Sequence, residues 1–259
     1  MVRLYTVPRL CDWADPAFLA MLDELALSHG RDRPHRKHWE FAWALLGLKH
    51  LDAIRPDALA VAVGAGREHP IYWLSNHVRR VHATDIYGAG DFAESDAPAE
   101  MLVHPERFAP FPYREDALVT QHMDGCKLRY PGESFDIAIS LSSIEHFGGH
   151  RRARDAVCEM ARVLRPGGIA AVATELVLNG VRHREFFREE QITRYLTAPS
   201  GLRVLGAPSL APDPELVADP VDLAGEWADR FPHVVLRAGR AVFTSVMIFM
   251  QKPGDLQAP

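Results

Sequence analysis

Two short stretches hold residues whose types and spacing could do chemistry. The first is Gly64-Ala65-Gly66, which breaks an apolar run from Ala58 to Val63, with Asp85 ending a second apolar stretch 19 residues beyond Gly66. Glycines in such a turn let the backbone approach a ligand closely, and a carboxylate about 20 residues further on can accept hydrogen bonds from ribose hydroxyls. The pattern points to a nucleotide-type ligand and is shared by several α/β families. The second stretch is SSIEHFGGHR, where Glu145 and His146 sit side by side. Histidine titrates near neutral pH, so it can take a proton from an oxygen or nitrogen.

These residues must be positioned by alternating strands and helices. Strands are expected at Ala58 to Val63, Arg80 to Asp85, Leu118 to Met123, Phe135 to Leu141 and Ile169 to Thr174, with helical stretches between them. That order predicts a mostly parallel sheet with helices on both faces. Upstream, FLAMLDELALSHG suits one amphipathic helix and HRKHWEFAWALLGLKHLDAI a second, separated by a polar loop containing Pro34. Residues 207 to 240, punctuated by five prolines, form an excursion before the last strand TSVMIFMQK; such insertions often shape pockets. We expect a single domain over 1–259, comprising a helical N-terminal lid (1–56), a core (57–252) with the 207–240 insertion, and a frayed tail (253–259).

Composition sets the outer limits. The 259 residues suffice for a sizeable core. With 34 acidic and 29 basic residues the net charge is −5, which offers no broad basic surface for nucleic acid. No apolar run approaches a membrane span, and the N-terminus lacks a signal-peptide core. Cys11, Cys126 and Cys158 lack metal-ligand spacing and leave an odd count for disulfides, which fits a reducing cytoplasm. The expected partner is a small molecule, with self-association into a homo-oligomer left open.

From about Ala58 to Lys252 the chain resembles the class I S-adenosylmethionine-dependent methyltransferases, in particular their small-molecule and sugar-modifying branches. Four segments carry the resemblance: Val63-Gly64-Ala65-Gly66; the acidic Asp85; MDGCKLRYPGESFDIAIS, with Asp124 ahead of Phe135-Asp136; and the turn Leu164-Arg165-Pro166-Gly167-Gly168. The implied fold is a doubly wound, seven-stranded, Rossmann-like sheet whose last strand runs antiparallel, and the implied cofactor is S-adenosyl-L-methionine (SAM). By resemblance Gly64, Ala65 and Gly66 border the methionine portion, Asp85 holds the ribose and Ile86 lies against adenine. Asp124 meets the exocyclic amine, Gly125 adds a backbone amide at the ring, and Ser140 and Leu141 line the methionine end. Glu145-His146 then faces the methyl end, with His146 as candidate base. The implied activity is methyl transfer to an oxygen, in preference to a nitrogen, of a sugar or secondary metabolite.

Two departures bear on this reading. Glu68 stands at the start of the helix that follows the glycine turn, where a dinucleotide site seats its pyrophosphate; a carboxylate there repels a pyrophosphate but suits a sulfonium. Ala62 replaces the acidic residue that usually holds the methionine amino group, and Glu40 or nearby backbone carbonyls could substitute. A non-catalytic cofactor-binding subunit and a nicotinamide-dependent oxidoreductase are the competing functions. Arg36 and Lys37 could meet a carboxylate, and Trp39 could act as a lid. Glu145-His146 also resembles the end of a metal motif whose earlier glutamate is Ser142 here; His183 could supplement the pair, but no metal is assigned.

Overall fold

β-branched and alanine residues alternate through the central strands, and nearly all are buried because helices cover both faces of the sheet. The computed structural model describes residues 2–254 apart from Glu226, Ala228 and Asp229. The parallel strands β2 (Leu59–Val63), β3 (Arg80–Asp85), β4 (Leu118–His122), β5 (Phe135–Leu141) and β6 (Leu164–Val177) form one sheet with β1 (Tyr5–Thr6), β7 (Arg203–Val204), β8 (Val221–Asp222), β9 (Leu236–Ala238) and β10 (Ala241–Gln251). The order is β4-β3-β2-β5-β6-β10-β9-β8, with β1 and β7 also pairing to β10. Val61 lies opposite His82 on one side and Ala138 on the other, while β10 runs antiparallel to β6 with Met247 opposite Ala173. This is the doubly wound, Rossmann-like fold with an antiparallel last long strand. The sheet is wider than the expected seven strands because the N-terminal arm and the 207–240 excursion add short ones at one edge.

Strand order reverses between β2 and β5. In open α/β sheets the crevice at the carboxyl ends of such strands is where ligands bind.

One face is covered by α1 (Pro16–Glu24), α2 (Arg36–His50) and α3 (His69–Ser75), the other by α4 (His150–Val163). Asp15 caps α1 by accepting the Ala17 amide (2.8 Å), with Pro16 in the first turn. Ala153, Ala156, Val157, Met160 and Ala161 give α4 its buried stripe at helical spacing. α2 crosses β5, β6 and β10. Gly47 brings it so close to the sheet that a Cβ there would lie 1.9 Å from the Phe249 ring. The N-terminal segment packs as a layer of the core, and Leu27 and the first turns of α2 reach the crevice.

Both N-terminal helices are shorter than their apolar patterns suggest. α1 stops at Glu24, where the Leu27 amide donates to Leu22 O (2.8 Å) around Ala26 at φ +55°. α2 stops at His50, where Ala53 donates to Leu48 O (3.0 Å) around Asp52 at φ +51°. These closures usually advertise themselves with glycine; alanine and aspartate hide them. No helix among the described residues is long and apolar enough to cross a membrane.

Candidate functional site

The crevice opens into a cleft of about 1200 Å³ bordered by the ends of β2, β3 and β5, the start of α2 and the excursion. Two glycines make its floor. Gly64 (φ +65°) passes so near the turn after β5 that a Cβ would lie 2.5 Å from Ser143 Cβ, and Gly66 (φ +47°) leaves 2.6 Å to Asp96 O. Gly125 is likewise pressed between Phe147 and Val63. Each permits a close backbone approach that a side chain would block.

Gly64, Gly66, Asp85, Ile86, Asp124, Gly125 and His146 all line this cleft. Asp85 accepts the Gly66 amide at Oδ2 (2.8 Å) and the Ile86 amide at Oδ1 (2.7 Å), which fixes its carboxylate at the cleft rim. Burial pushes its pKa up, against the pull of those amides. Asp124 accepts from the Cys126 amide (2.9 Å) and from Arg152 (2.8 Å). Its partial burial works the other way, but these donors hold the carboxyl below its ordinary value.

Other expected residues sit behind the wall. Ala65 is buried in the core and its amide donates to Thr84 O (3.0 Å). The Ser140 hydroxyl donates to Val63 O (2.8 Å), tying β5 to β2 instead of facing a ligand. The Leu141 side chain is buried, and its carbonyl accepts Lys37 Nζ (2.5 Å). Trp39 is not a lid: it is fully buried, stacked on Trp43, and donates to Asp12 Oδ2 (2.9 Å). An indole bonded in the core cannot swing over a cleft. Arg36 and Lys37 do reach the cleft, but their charge is engaged. Arg36 Nη1 contacts Glu40 and Glu175, each at 2.9 Å, and Lys37 Nζ contacts Glu68 (2.8 Å) and Glu40 (3.3 Å).

Glu68 is therefore an ion-paired acid on the cleft wall, not a water-exposed helix end. Burial pushes its pKa up to about 7 despite Lys37. For Lys37 burial favours the neutral amine, but Glu68 and Glu40 outweigh it and raise the pKa. Glu40 is buried beneath, where the Ser245 hydroxyl also donates to it.

Past β5 the chain turns at Ser142, held at φ +51°, a conformation that costs energy for a non-glycine residue and often marks functional turns. Glu145 follows, fully buried, with Oε2 accepting the Thr174 hydroxyl (2.9 Å). Its Oε1 lies 3.9 Å from His146 Nε2. Burial and the neighbouring Glu175 drive its pKa well up, whereas Arg36 overcomes burial at Glu175 and keeps that carboxyl low. Of this pair, His146 is the member that faces the cleft. His183 does not join it: its Nδ1 accepts the amides of Glu185 (3.2 Å) and Phe186 (3.0 Å), and the ring stacks on Phe186. Glu185 takes that place, with Oε2 3.4 Å from His146 Nδ1.

Several wall residues escaped the sequence reading. Glu175 had a visible signal, a carboxylate in an otherwise apolar strand. His35, His38, His69 and His233, with Trp227, gather at the α2 end of the cleft and had none. His35 caps α2 by accepting the Lys37 amide (3.1 Å) and stacks on His233 (centroids 4.4 Å). Burial depresses the pKa of His35 to about 2, and of His38 and His233 to about 4 each, so this end is lined with neutral imidazoles.

Residues 61–172 match the family model described as a methyltransferase domain. No curated protein matches the chain in sequence. Among solved structures, a geranyl diphosphate methyltransferase in complex with SAM superposes with a TM-score of 0.55 at 14% identity, covering 96% of this chain and 97% of that one. A SAM-dependent methyltransferase from Methanosarcina mazei gives 0.51 at 16% identity, covering 80% and 98%. A [4+2]-cyclase gives 0.52 at 16% identity, covering 96% and 99%. Such likeness establishes the fold and does not choose among reactions. The stretch that matches the methyltransferase-domain model contains the glycine turn, Asp85, Asp124 and Glu145-His146, so Gly64, Gly66, Asp85, Asp124 and His146, which line the crevice, belong to the part of the chain that resembles that domain.

Proposed function

We propose that the protein transfers the SAM methyl group to an oxygen, in preference to a nitrogen, of a small metabolite such as a sugar or secondary metabolite, leaving S-adenosylhomocysteine. The single observation that carries this reading is the shape of the cleft. About 1200 Å³ exceeds the size of an ordinary ligand pocket, so cofactor and a small acceptor have room together. In this reading Gly64, Ala65 and Gly66 border the methionine portion, Ala65 and the turn of Ser140 and Leu141 through backbone groups. Asp85 and Ile86 hold ribose and adenine, and Asp124 and Gly125 the adenine edge.

The sulfonium is already a good leaving group, so the protein's task is to align the acceptor and exclude water. His146, backed by Glu145, receives the acceptor proton. His38 and His233, whose imidazoles burial keeps neutral, line the α2 end of the cleft beside the space left for the acceptor. The whole chain acts as one domain, working in the cytoplasm with no nucleic-acid or membrane partner; three free cysteines fit a reducing compartment.

The test is calorimetric titration with SAM, S-adenosylhomocysteine and NADH, repeated on Asp85→Ala, followed by an acceptor screen read by mass spectrometry. Micromolar binding of the first two, weakened at least tenfold in the variant, and a methylated hydroxyl compound are expected. NADH binding alone would overturn the cofactor reading. Cofactor binding with no product across the screen would favour a non-catalytic subunit.

A further inference from the structure

Beside the methyl end of the cleft, three side chains from separate parts of the chain converge. Glu145 and His146 follow β5, and Glu175 comes from β6. One carboxylate or imidazole atom from each lies within 4.8 Å of the others. Where burial is this deep, two adjacent carboxyl groups need a compensating cation or a shared proton. Arg36 meets only part of that need, because it is shared with Glu40.

The hydrogen-bond pattern is specific. Glu145 has one oxygen occupied, by the Thr174 hydroxyl (2.9 Å), and its Oε1 is buried with no partner. Glu175 has one oxygen occupied, by Arg36 Nη1 (2.9 Å), and its Oε2 is buried with no partner. His146 directs Nδ1 toward Glu185 Oε2 (3.4 Å), leaving Nε2 on the side of Glu145 (3.9 Å). Each residue thus presents one bare atom and has its other polar atom held from behind. That arrangement, with ligands oriented by outer partners and a histidine backed by a carboxylate, is how proteins build metal sites.

We propose that Glu145, His146 and Glu175 bind a divalent first-row cation such as Mn²⁺ or Zn²⁺, whose remaining positions face the cleft and take the acceptor's oxygen. Two carboxylate oxygens and an imidazole nitrogen suit these ions. Neighbouring ligand atoms around such an ion are about 3 Å apart, so the side chains close by a rotamer-scale adjustment. The proposal rests on the methyltransferase reading for its acceptor and revises the part played by His146. With an ion on Nε2 the imidazole cannot also take a proton. The coordinated hydroxyl instead releases its proton to water in the cleft, the metal having lowered its pKa. Its oxygen then bonds the methyl carbon as the S–CH₃ bond breaks, with the electron pair returning to sulfur.

The experiment titrates the chelator-stripped full chain with MnCl₂, read by loss of the free-ion electron paramagnetic resonance signal, and with ZnCl₂ by calorimetry. S-adenosylhomocysteine binding is measured on the same samples. One equivalent binding at micromolar concentration is expected, weakened at least tenfold in Glu175→Gln. Because Glu175→Gln also removes a partner of Arg36 and could unfold the protein, Glu185→Gln, beside His146 Nδ1, is the second variant, with a tenfold or greater loss of ion affinity expected. Absence of saturable binding below millimolar would overturn the site and leave a proton shared between the two carboxylates. Binding undiminished in both variants would overturn it equally. Loss of S-adenosylhomocysteine binding in the wild type would count against the cofactor reading alone, since the ion titration does not depend on it.

Discussion

Replacing His233 with phenylalanine should make the protein more resistant to acid. His233 joins the excursion to the start of α2: its amide donates to Pro34 O (2.7 Å), its carbonyl accepts the Arg36 amide (2.9 Å), and its ring stacks on His35. Burial, then Arg36, lowers its pKa from 6.5 to about 4. The unfolded chain therefore binds a proton near pH 6.5 while the folded chain refuses it until about pH 4. Within that window the unfolded state holds more protons, so stability is full above pH 6.5 and falls as the pH drops. At 1.36 kcal/mol for each pH unit between the two values, the loss by pH 4 is about 3 kcal/mol, a sizeable part of a typical domain's stability. His35, depressed to about 2 by burial and by His233, acts in the same direction. Phenylalanine keeps a ring on His35 and removes the titration. Urea unfolding followed by tryptophan fluorescence between pH 4 and 7 should show the wild type losing about 3 kcal/mol more than His233→Phe. Parallel curves for the two proteins would refute the reasoning.

Gly64→Ala forces a side chain into φ +65° and to 2.5 Å from Ser143 Cβ; about 1–3 kcal/mol of stability should be lost, along with cofactor affinity, by thermal unfolding and calorimetry. Gly47→Ala ordinarily favours a helix, yet here the added carbon meets the Phe249 ring at 1.9 Å, so denaturant unfolding should show a net loss of about 1–3 kcal/mol. Lys37→Met leaves Glu68 and Glu40 facing one another with one cation fewer. A loss of about 3–5 kcal/mol at pH 8 is expected, shrinking at pH 5 where Glu68 can take a proton, because its folded pKa of about 7 lies above its unfolded value.

Much of the fold was legible because apolar runs and glycine turns are local signals. Arg80–Asp85 and Phe135–Leu141 have the expected bounds, and the Gly64-Ala65-Gly66 turn and Asp85 meet at the crevice. Errors arose where the local signal was silent. Helix ends fell on Ala26 and Asp52 rather than glycine, and β10 begins at Ala241 because pairing with β9 and β6 extends it beyond its most apolar part. Trp39 illustrates a different limit. An aromatic residue near a basic helix start reads equally well as lid or core, and only its bond to Asp12, 27 positions away, decides.

The sequence by itself determined the order of strands and helices, the glycines the turns require and the acidic strand end, since these follow from periodicity and backbone sterics within short windows. Only the tertiary structure decided what depends on distant groups meeting in low dielectric. It brought Glu175 and Glu185 to Glu145 and His146, neutralised Arg36 and Lys37 with buried carboxylates, and stacked His233 on His35 across 198 positions. Burial and pairing set the charge and reach of these side chains, and neither is written in any one segment of the chain.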